Sequence, residues 1–226
     1  AAYYTMRLFE AAGLPEGVIN VVYGDGQSIA ERCIHERDLA AIHFTGSTKV
    51  FRSLWRAVGE RIETYATYPR LVGETGGKDF VMIHASADVE AAAVALVRGA
   101  YEFQGQKCSA ASRAYVPASL WPKLKERGSE NIREIRMRDV SNFRNFMGAV
   151  INERAYTRLS AWLDRLRSDA GCEVLAAEGW SKEVGYFCGP TLVRVSDPMH
   201  AVMQEELFGP VLAVYVYDDA RVDETL

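Results

Sequence analysis

The chain lacks the features that would place it in several broad functional classes. Its longest uninterrupted apolar run, Ala91 to Val97, falls far short of the roughly 20 residues that a membrane-spanning helix needs. No basic run occurs, and 26 Lys and Arg against 30 Asp and Glu leave a net charge of −4. That balance argues against nucleic acid or an anionic membrane surface as a partner. Only four cysteines are present, Cys33, Cys108, Cys172 and Cys188, with no C-x-x-C pair and no Cys/His ligand spacing. They read as free thiols of a reducing compartment rather than as a disulfide framework, and no metal site is expected. Neither a long Pro- or Ser-rich linker nor an internal repeat is visible. An initiator Met and a signal peptide are also lacking, and both ends read as cut from something longer.

What is present is a chain of 226 residues, 49% apolar, enough for one large or two smaller domains with real cores. Helical spacing over Tyr4 to Ala12 ends at Gly13-Leu14-Pro15, a stop signal. Val18 to Tyr23 is β-branched and predicts a strand, followed by a helix over Ser28 to His35, a strand over Leu39 to Phe44, a helix over Lys49 to Ile62 and a strand over Pro69 to Glu74. Thr75-Gly76-Gly77 is the best internal boundary, dividing residues 1–75 from 76–226. Beyond it the pattern predicts strands at Phe80 to Ile83, Ala114 to Val116, Glu173 to Ala176, Thr191 to Val195 and Val211 to Tyr217. Helices are predicted at Asp88 to Phe103, Leu120 to Ile135, Glu153 to Arg167 and Asp219 to Leu226, with Trp121 and Trp162 as packing residues. Strands alternating with helices imply an α/β fold with a parallel sheet, and the doubly apolar Val211 to Tyr217 reads as a central strand.

Four stretches carry possible chemistry. Cys108 follows Gln104-Gly105-Gln106-Lys107 in a polar, glycine-containing turn; a cysteine beside positive charge at a loop or helix end can ionise and attack a carbonyl, whereas the plainer alternative is a surface thiol. Phe44-Thr45-Gly46-Ser47 joins a strand to a helix, where Gly46 permits close backbone approach and free N–H groups can receive a phosphate, or where Ser47 or Thr48 simply caps the helix. Glu74, at a strand end before a flexible Gly76-Gly77, can deprotonate a thiol or activate water, or be a solvated turn residue. Glu205-Glu206-Leu207-Phe208-Gly209-Pro210 offers a carboxylate for ribose hydroxyls and a ring to pack on a flat cofactor, or is a charged turn closed by Gly-Pro.

These four stretches, in this order, resemble the successive signature motifs of the aldehyde dehydrogenase superfamily. Tyr68 to Phe80, Ser86 to Glu90 and Gln104 to Arg113 are further similar to its 1-pyrroline-5-carboxylate dehydrogenase branch, the L-glutamate γ-semialdehyde dehydrogenases of proline catabolism. The resemblance implies that residues 1–75 are the C-terminal part of a Rossmann-like NAD-binding domain and that 76–226 are most of a catalytic domain, incomplete at its C-terminal end. It implies that Cys108 is the nucleophile, Glu74 the base that activates water, and Gly46 and Ser47 contacts of the NAD pyrophosphate. Glu206 would hold the ribose next to the nicotinamide, Phe208 would pack near that ring, and Ser109 would meet the substrate carboxylate.

The same resemblance implies a small aldehyde as substrate, a homodimer or larger homo-oligomer, and a location in the cytoplasm, or in the mitochondrial matrix of a eukaryote. The family's oxyanion asparagine and adenosine-ribose lysine would lie before Ala1, and its substrate-gripping loop and part of its dimer-forming arm after Leu226. The competing readings are a non-catalytic or truncated piece of the same fold, an enzyme for another aldehyde, and a cofactor-independent thiol esterase built on Cys108 and Glu74.

Overall fold

A computed structural model describes all 226 residues, which divide into two compact units, Ala1–Thr75 and Gly76–Leu226. The first unit carries α1 (Ala2–Ala11), α2 (Gly26–Ile34), β1 (Ala41–Thr45), α3 (Thr48–Glu60), a 3-10 turn at Ile62–Thr64 and β2 (Arg70–Glu74). β1 and β2 pair in parallel from Ala41↔Arg70 to Thr45↔Glu74, so their C-terminal ends lie side by side. Ile34, Leu54 and Val58 form this unit's small buried cluster. The strand expected at Val18 to Tyr23 does not form. β-Branched composition supplies side chains that suit a pleated surface but not a partner strand, and the only sheet of this unit is β1 with β2; Val18, Val22 and Tyr23 are exposed.

The second unit contains β3 (Phe80–Met82), α4 (Val89–Tyr101), β4 (Arg113–Pro117), α5 (Trp121–Glu134), α6 (Glu153–Ser168), β5 (Cys172–Ala177), β6 (Thr191–Val195), α7 (Ala201–Gln204), β7 (Val211–Tyr217) and α8 (Val222–Thr225). Its five-stranded sheet has the order β3-β4-β7-β6-β5. β7 is central, and its alternating side chains feed two cores. Leu212 and Val214 join Ala93, Leu96, Tyr101 and Leu124 of α4 and α5 on one face. Val211 and Ala213 join Leu159, Trp162 and Leu166 of α6 on the other. A strand buried on both faces is apolar throughout, which is why this one was legible from composition. Trp162 is buried and Trp121 packs half-buried on the first cluster.

Three further departures from the sequence-based expectations are seen. The sheet is mixed, because β5 pairs antiparallel to β6; no helix intervenes between them, and without a crossover the chain returns in the opposite direction. The helix expected to reach Phe103 stops at Tyr101, since Phe103 and Gln104 take left-handed backbone angles (φ 54° and 59°) in a 3-10 turn at Glu102–Gly105. The helix expected over Asp219 to Leu226 is split into a 3-10 turn, Asp219–Arg221, and α8. No helix of the chain is long and apolar enough to cross a membrane.

Leu159 has no solvent exposure and its methyl groups pack where a side chain on Gly209 would stand. Leu159→Ala is expected to lower the unfolding free energy of this unit by about 2–5 kcal/mol, measured by urea denaturation; a loss below about 1 kcal/mol would contradict the packing.

Candidate functional site

The topology of each unit gathers its chemistry-bearing residues at one end of a sheet. In the first unit, Gly46 and Ser47 follow the C-terminal end of β1 and Glu74 closes β2. The Gly46 N–H donates to the Glu74 carbonyl at 3.1 Å, which locks the two strand ends together. Ser47 is the cap of α3, its hydroxyl accepting the Val50 N–H at 3.3 Å. What approaches Gly46 closely is the Phe44 ring, 2.5 Å from where a Cβ would sit. Glu74, the last residue of β2, is exposed.

Beside these residues α2, α3 and β1 enclose an apolar groove of about 890 Å³, lined among others by Ile29, Ala30, Ile42, Val50 and Leu54. The walls suit a flat apolar group, and the α3 start at one end suits an anion. This groove was not read from the sequence, because its lining residues carry only the signal of ordinary helix faces.

In the second unit the corresponding segments enter the N-terminal ends of three adjacent parallel strands. Gly76-Gly77-Lys78 leads to β3, the Cys108 turn to β4, and Glu205 to Pro210 to β7. Cys108, Gly77, Glu206, Leu207 and Phe208 line one small cleft. Cys108 is partly buried, and Ser109 next to it is exposed. Gly77 is the meeting point. Its N–H donates to Glu206 Oε1 at 3.0 Å, and a Cβ on it would lie 2.7 Å from the Cys108 carbonyl oxygen. A Cβ on Gly76 would overlap the Glu206 carboxylate. The two glycines therefore form a seat for Glu206, more than the loose link that their composition suggests.

Two arginines hold main-chain atoms of this arrangement. Arg113, at the start of β4, donates from Nε to the Lys78 carbonyl at 3.0 Å and from Nη1 to the Met203 carbonyl at 3.2 Å, and its guanidinium lies 5.6 Å from the centre of the Phe80 ring. Arg158 of α6 donates to the Leu207 carbonyl at 2.9 Å. Both were missed in sequence because each bonds main-chain atoms far away along the chain. Three non-glycine residues of the chain have positive φ, Phe103, Gln104 and Phe208. All three flank the Cys108 turn or follow Glu206. Such angles cost of order 1 kcal/mol or more each and persist only where surroundings over-determine them.

The thiols differ in their surroundings. Burial pushes the Cys188 thiol up to about 12. Burial, then the neighbouring Asp169, also raises Cys172, so neither suits a nucleophile. Cys172 belongs to a second cluster, with His200 Nε2 at 3.6 Å from its sulfur and at 3.1 Å from Asp169 Oδ2. His200 Nδ1 accepts the Val202 N–H at 3.1 Å, which leaves the ring proton of the neutral imidazole on Nε2. A metal ligand would need Nε2 bare and the other nitrogen donating. The cluster is a hydrogen-bonded corner tying the start of β5 to the cap of α7.

Lys78 is displaced towards neutrality. Burial first, then the Arg113 charge, lowers its ammonium from an ordinary value near 10.5 to about 8, against the pull of Glu206 and Glu205. A folded-state value below the unfolded one means that Lys78 favours folding fully above about 10.5, and that this contribution is lost as pH falls through about 8; between them the unfolded chain binds more protons. Urea midpoints are expected to rise from this group between pH 8 and 10, and Lys78→Met should flatten that rise. An unchanged pH profile in the variant would refute the assignment.

Residues 1–224 match the model of the Aldehyde dehydrogenase family. The mitochondrial delta-1-pyrroline-5-carboxylate dehydrogenases of mouse and human are each 42% identical to the chain, covering 100% of it and 40% of their own length. The delta-pyrroline-5-carboxylate dehydrogenase of Mycobacterium tuberculosis bound with NAD superposes with a TM-score of 0.92 at 44% identity, over 99% of this chain and 40% of that one. Proline Utilization A of Bradyrhizobium japonicum gives 0.91 at 29% identity, over 99% of this chain and 22% of that one. The chain thus spans about 40% of the length of the curated relatives it matches, and with the matched model running through both of its units it belongs to the aldehyde dehydrogenase family.

Proposed function

We propose that this chain carries the nucleophile, the base and part of the cofactor site of an NAD-dependent dehydrogenase that oxidises L-glutamate γ-semialdehyde, the open form of 1-pyrroline-5-carboxylate, to L-glutamate. The observation that carries this reading is the meeting of Cys108, Gly77 and Glu206 at one point, in a chain 42% identical to delta-1-pyrroline-5-carboxylate dehydrogenases. NAD supplies a hydride acceptor when bound, and the residues present fit it. The α2/α3 groove accommodates a flat base, and the start of α3, with Gly46 and Ser47, offers N–H groups to a pyrophosphate. The seated Glu206 carboxylate keeps one oxygen on Gly77 and has a second for a ribose hydroxyl. A relative solved with NAD supports the same choice.

On this reading residues 1–75 belong to the cofactor-binding domain and 76–226 to the thiol-bearing domain. The Cys108 thiolate adds to the aldehyde carbon, giving a thiohemiacetal whose oxyanion takes a hydrogen bond from the Cys108 N–H. Loss of hydride from that carbon leaves a thioester on Cys108. Glu74 removes a proton from water, the hydroxide displaces the thiolate, and the carboxylate product forms. Phe208 packs against the reacting ring of the cofactor and Ser109 meets the substrate carboxylate. A homodimer or larger homo-oligomer is part of the proposal. So is a location in the mitochondrial matrix of a eukaryote, or in the cytoplasm otherwise, in keeping with the mitochondrial relatives of mouse and human.

The test is NADH production from pyrroline-5-carboxylate by the product of the complete gene. Cys108→Ser is expected to reduce kcat by at least about 1,000-fold, and undiminished turnover would sink the mechanism. Glu74→Gln should leave a stoichiometric burst of NADH followed by turnover slowed by about 100- to 10,000-fold, the usual range for losing a general base. Ester hydrolysis at full rate without NAD, coupled with no aldehyde oxidation, would instead favour the esterase reading.

A further inference from the structure

The turn before Cys108 is held by two side chains that the proposed mechanism does not use. Phe103, Gln104 and Gly105 take left-handed backbone angles in succession, with φ of 54°, 59° and 62°. Gln104 is buried, and its amide pairs with main chain as another peptide group would. Its Oε1 accepts the Gly148 N–H at 3.0 Å and its Nε2 donates to the Ala149 carbonyl at 3.2 Å. Two residues on, Gln106 Oε1 accepts the Ile151 N–H at 3.0 Å. Between these contacts the Val150 N–H donates to the Tyr186 carbonyl at 2.8 Å, so the segment 148–151 is itself anchored. A Cβ on Gly105 would stand only 2.5 Å from the Gly209 carbonyl oxygen.

A left-handed turn of two non-glycine residues does not persist on its own preferences. Here the two glutamines bolt it to a fixed segment, and Cys108 leaves that turn within two residues of the second bolt. We propose that Gln104 and Gln106 are positioning residues that set the placement of the Cys108 thiol through their bonds to the 148–151 main chain. This rests on the reading of Cys108 as nucleophile. The two glutamines differ in what they need. Gln104 uses an acceptor and a donor, whereas Gln106 uses only an acceptor, so a carboxylate can replace the second but not the first.

The experiment measures, in the complete gene product, the iodoacetamide labelling rate of each cysteine by mass spectrometry across pH 6 to 9, beside kcat, KM and thermal unfolding. In the unsubstituted protein Cys108 is expected to label faster than the exposed Cys33. Gln106→Leu should slow Cys108 labelling and kcat by about 10-fold or more, with KM for NAD little changed, and Gln106→Glu should recover most of that loss. Gln104→Leu and Gln104→Glu should both stay slow, and the Gln106 pair carries the test if the buried position fails to fold. Equal Cys108 labelling and kcat in Gln106→Leu and the unsubstituted protein would overturn the inference. So would slow kcat with a lower melting temperature and an unaltered Cys108 labelling profile. Labelling of Cys108 no faster than Cys33 before any substitution would instead overturn the nucleophile assignment itself, and the inference with it.

Discussion

The contact on which the second unit's site depends is the one at Gly77. A single N–H there holds the Glu206 carboxylate at 3.0 Å, and the Cys108 carbonyl oxygen lies 2.7 Å from where a Cβ on the same residue would stand. Any side chain at 77 would separate the two, and one at 76 would occupy the carboxylate's own position. Glycine serves here by absence of bulk, since its backbone is not at positive φ. The remaining supports act on what this contact joins. Arg113 fixes the carbonyls of Lys78 and Met203, Arg158 fixes that of Leu207, and the glutamines fix the turn before Cys108.

The topology explains why these pieces meet. β3, β4 and β7 are adjacent and parallel, so the three segments that enter them arrive at the same end of the sheet although they are separated by long stretches of sequence. β7 lies at the middle because it is apolar on both faces, and its two cores hold α4, α5 and α6 in place. α4 then delivers the Cys108 turn, and α6 delivers Arg158. In the first unit the relevant groups sit instead at the C-terminal ends of β1 and β2, the usual place for a ligand in an open α/β sheet.

The strain near the site is local and paired with strong anchoring. Phe103, Gln104 and Phe208 are the non-glycine residues at positive φ; Phe208 follows the Leu207 carbonyl held by Arg158, and the Gln104 side chain itself bonds the 148–149 main chain. The thiols show the same economy of placement. Those at 172 and 188 are made poor thiolates by burial, and Cys108 is the one that shares a cleft with Glu206 and Phe208.

Periodicity and composition by themselves determined the α/β class, both strands of the first unit's sheet, all five of the second's, and the long helices, because those patterns record burial that local sequence must satisfy. The stretches around Gly46, Glu74, Cys108 and Glu206 stood out by residue type, but type alone left each a plain alternative, and their roles were read from the family resemblance of the four stretches in order. Only the tertiary structure decided that Val18 to Tyr23 is unpaired and that β5 runs antiparallel, since strands exist through partners that local sequence does not name. It alone turned Gly76-Gly77 from a flexible link into the seat of Glu206, and gave Lys78, Arg113, Arg158, Gln104 and Gln106 their places. Their contacts are hydrogen bonds and charges acting through space, often to main-chain atoms, and main-chain atoms are the same at every residue of a sequence.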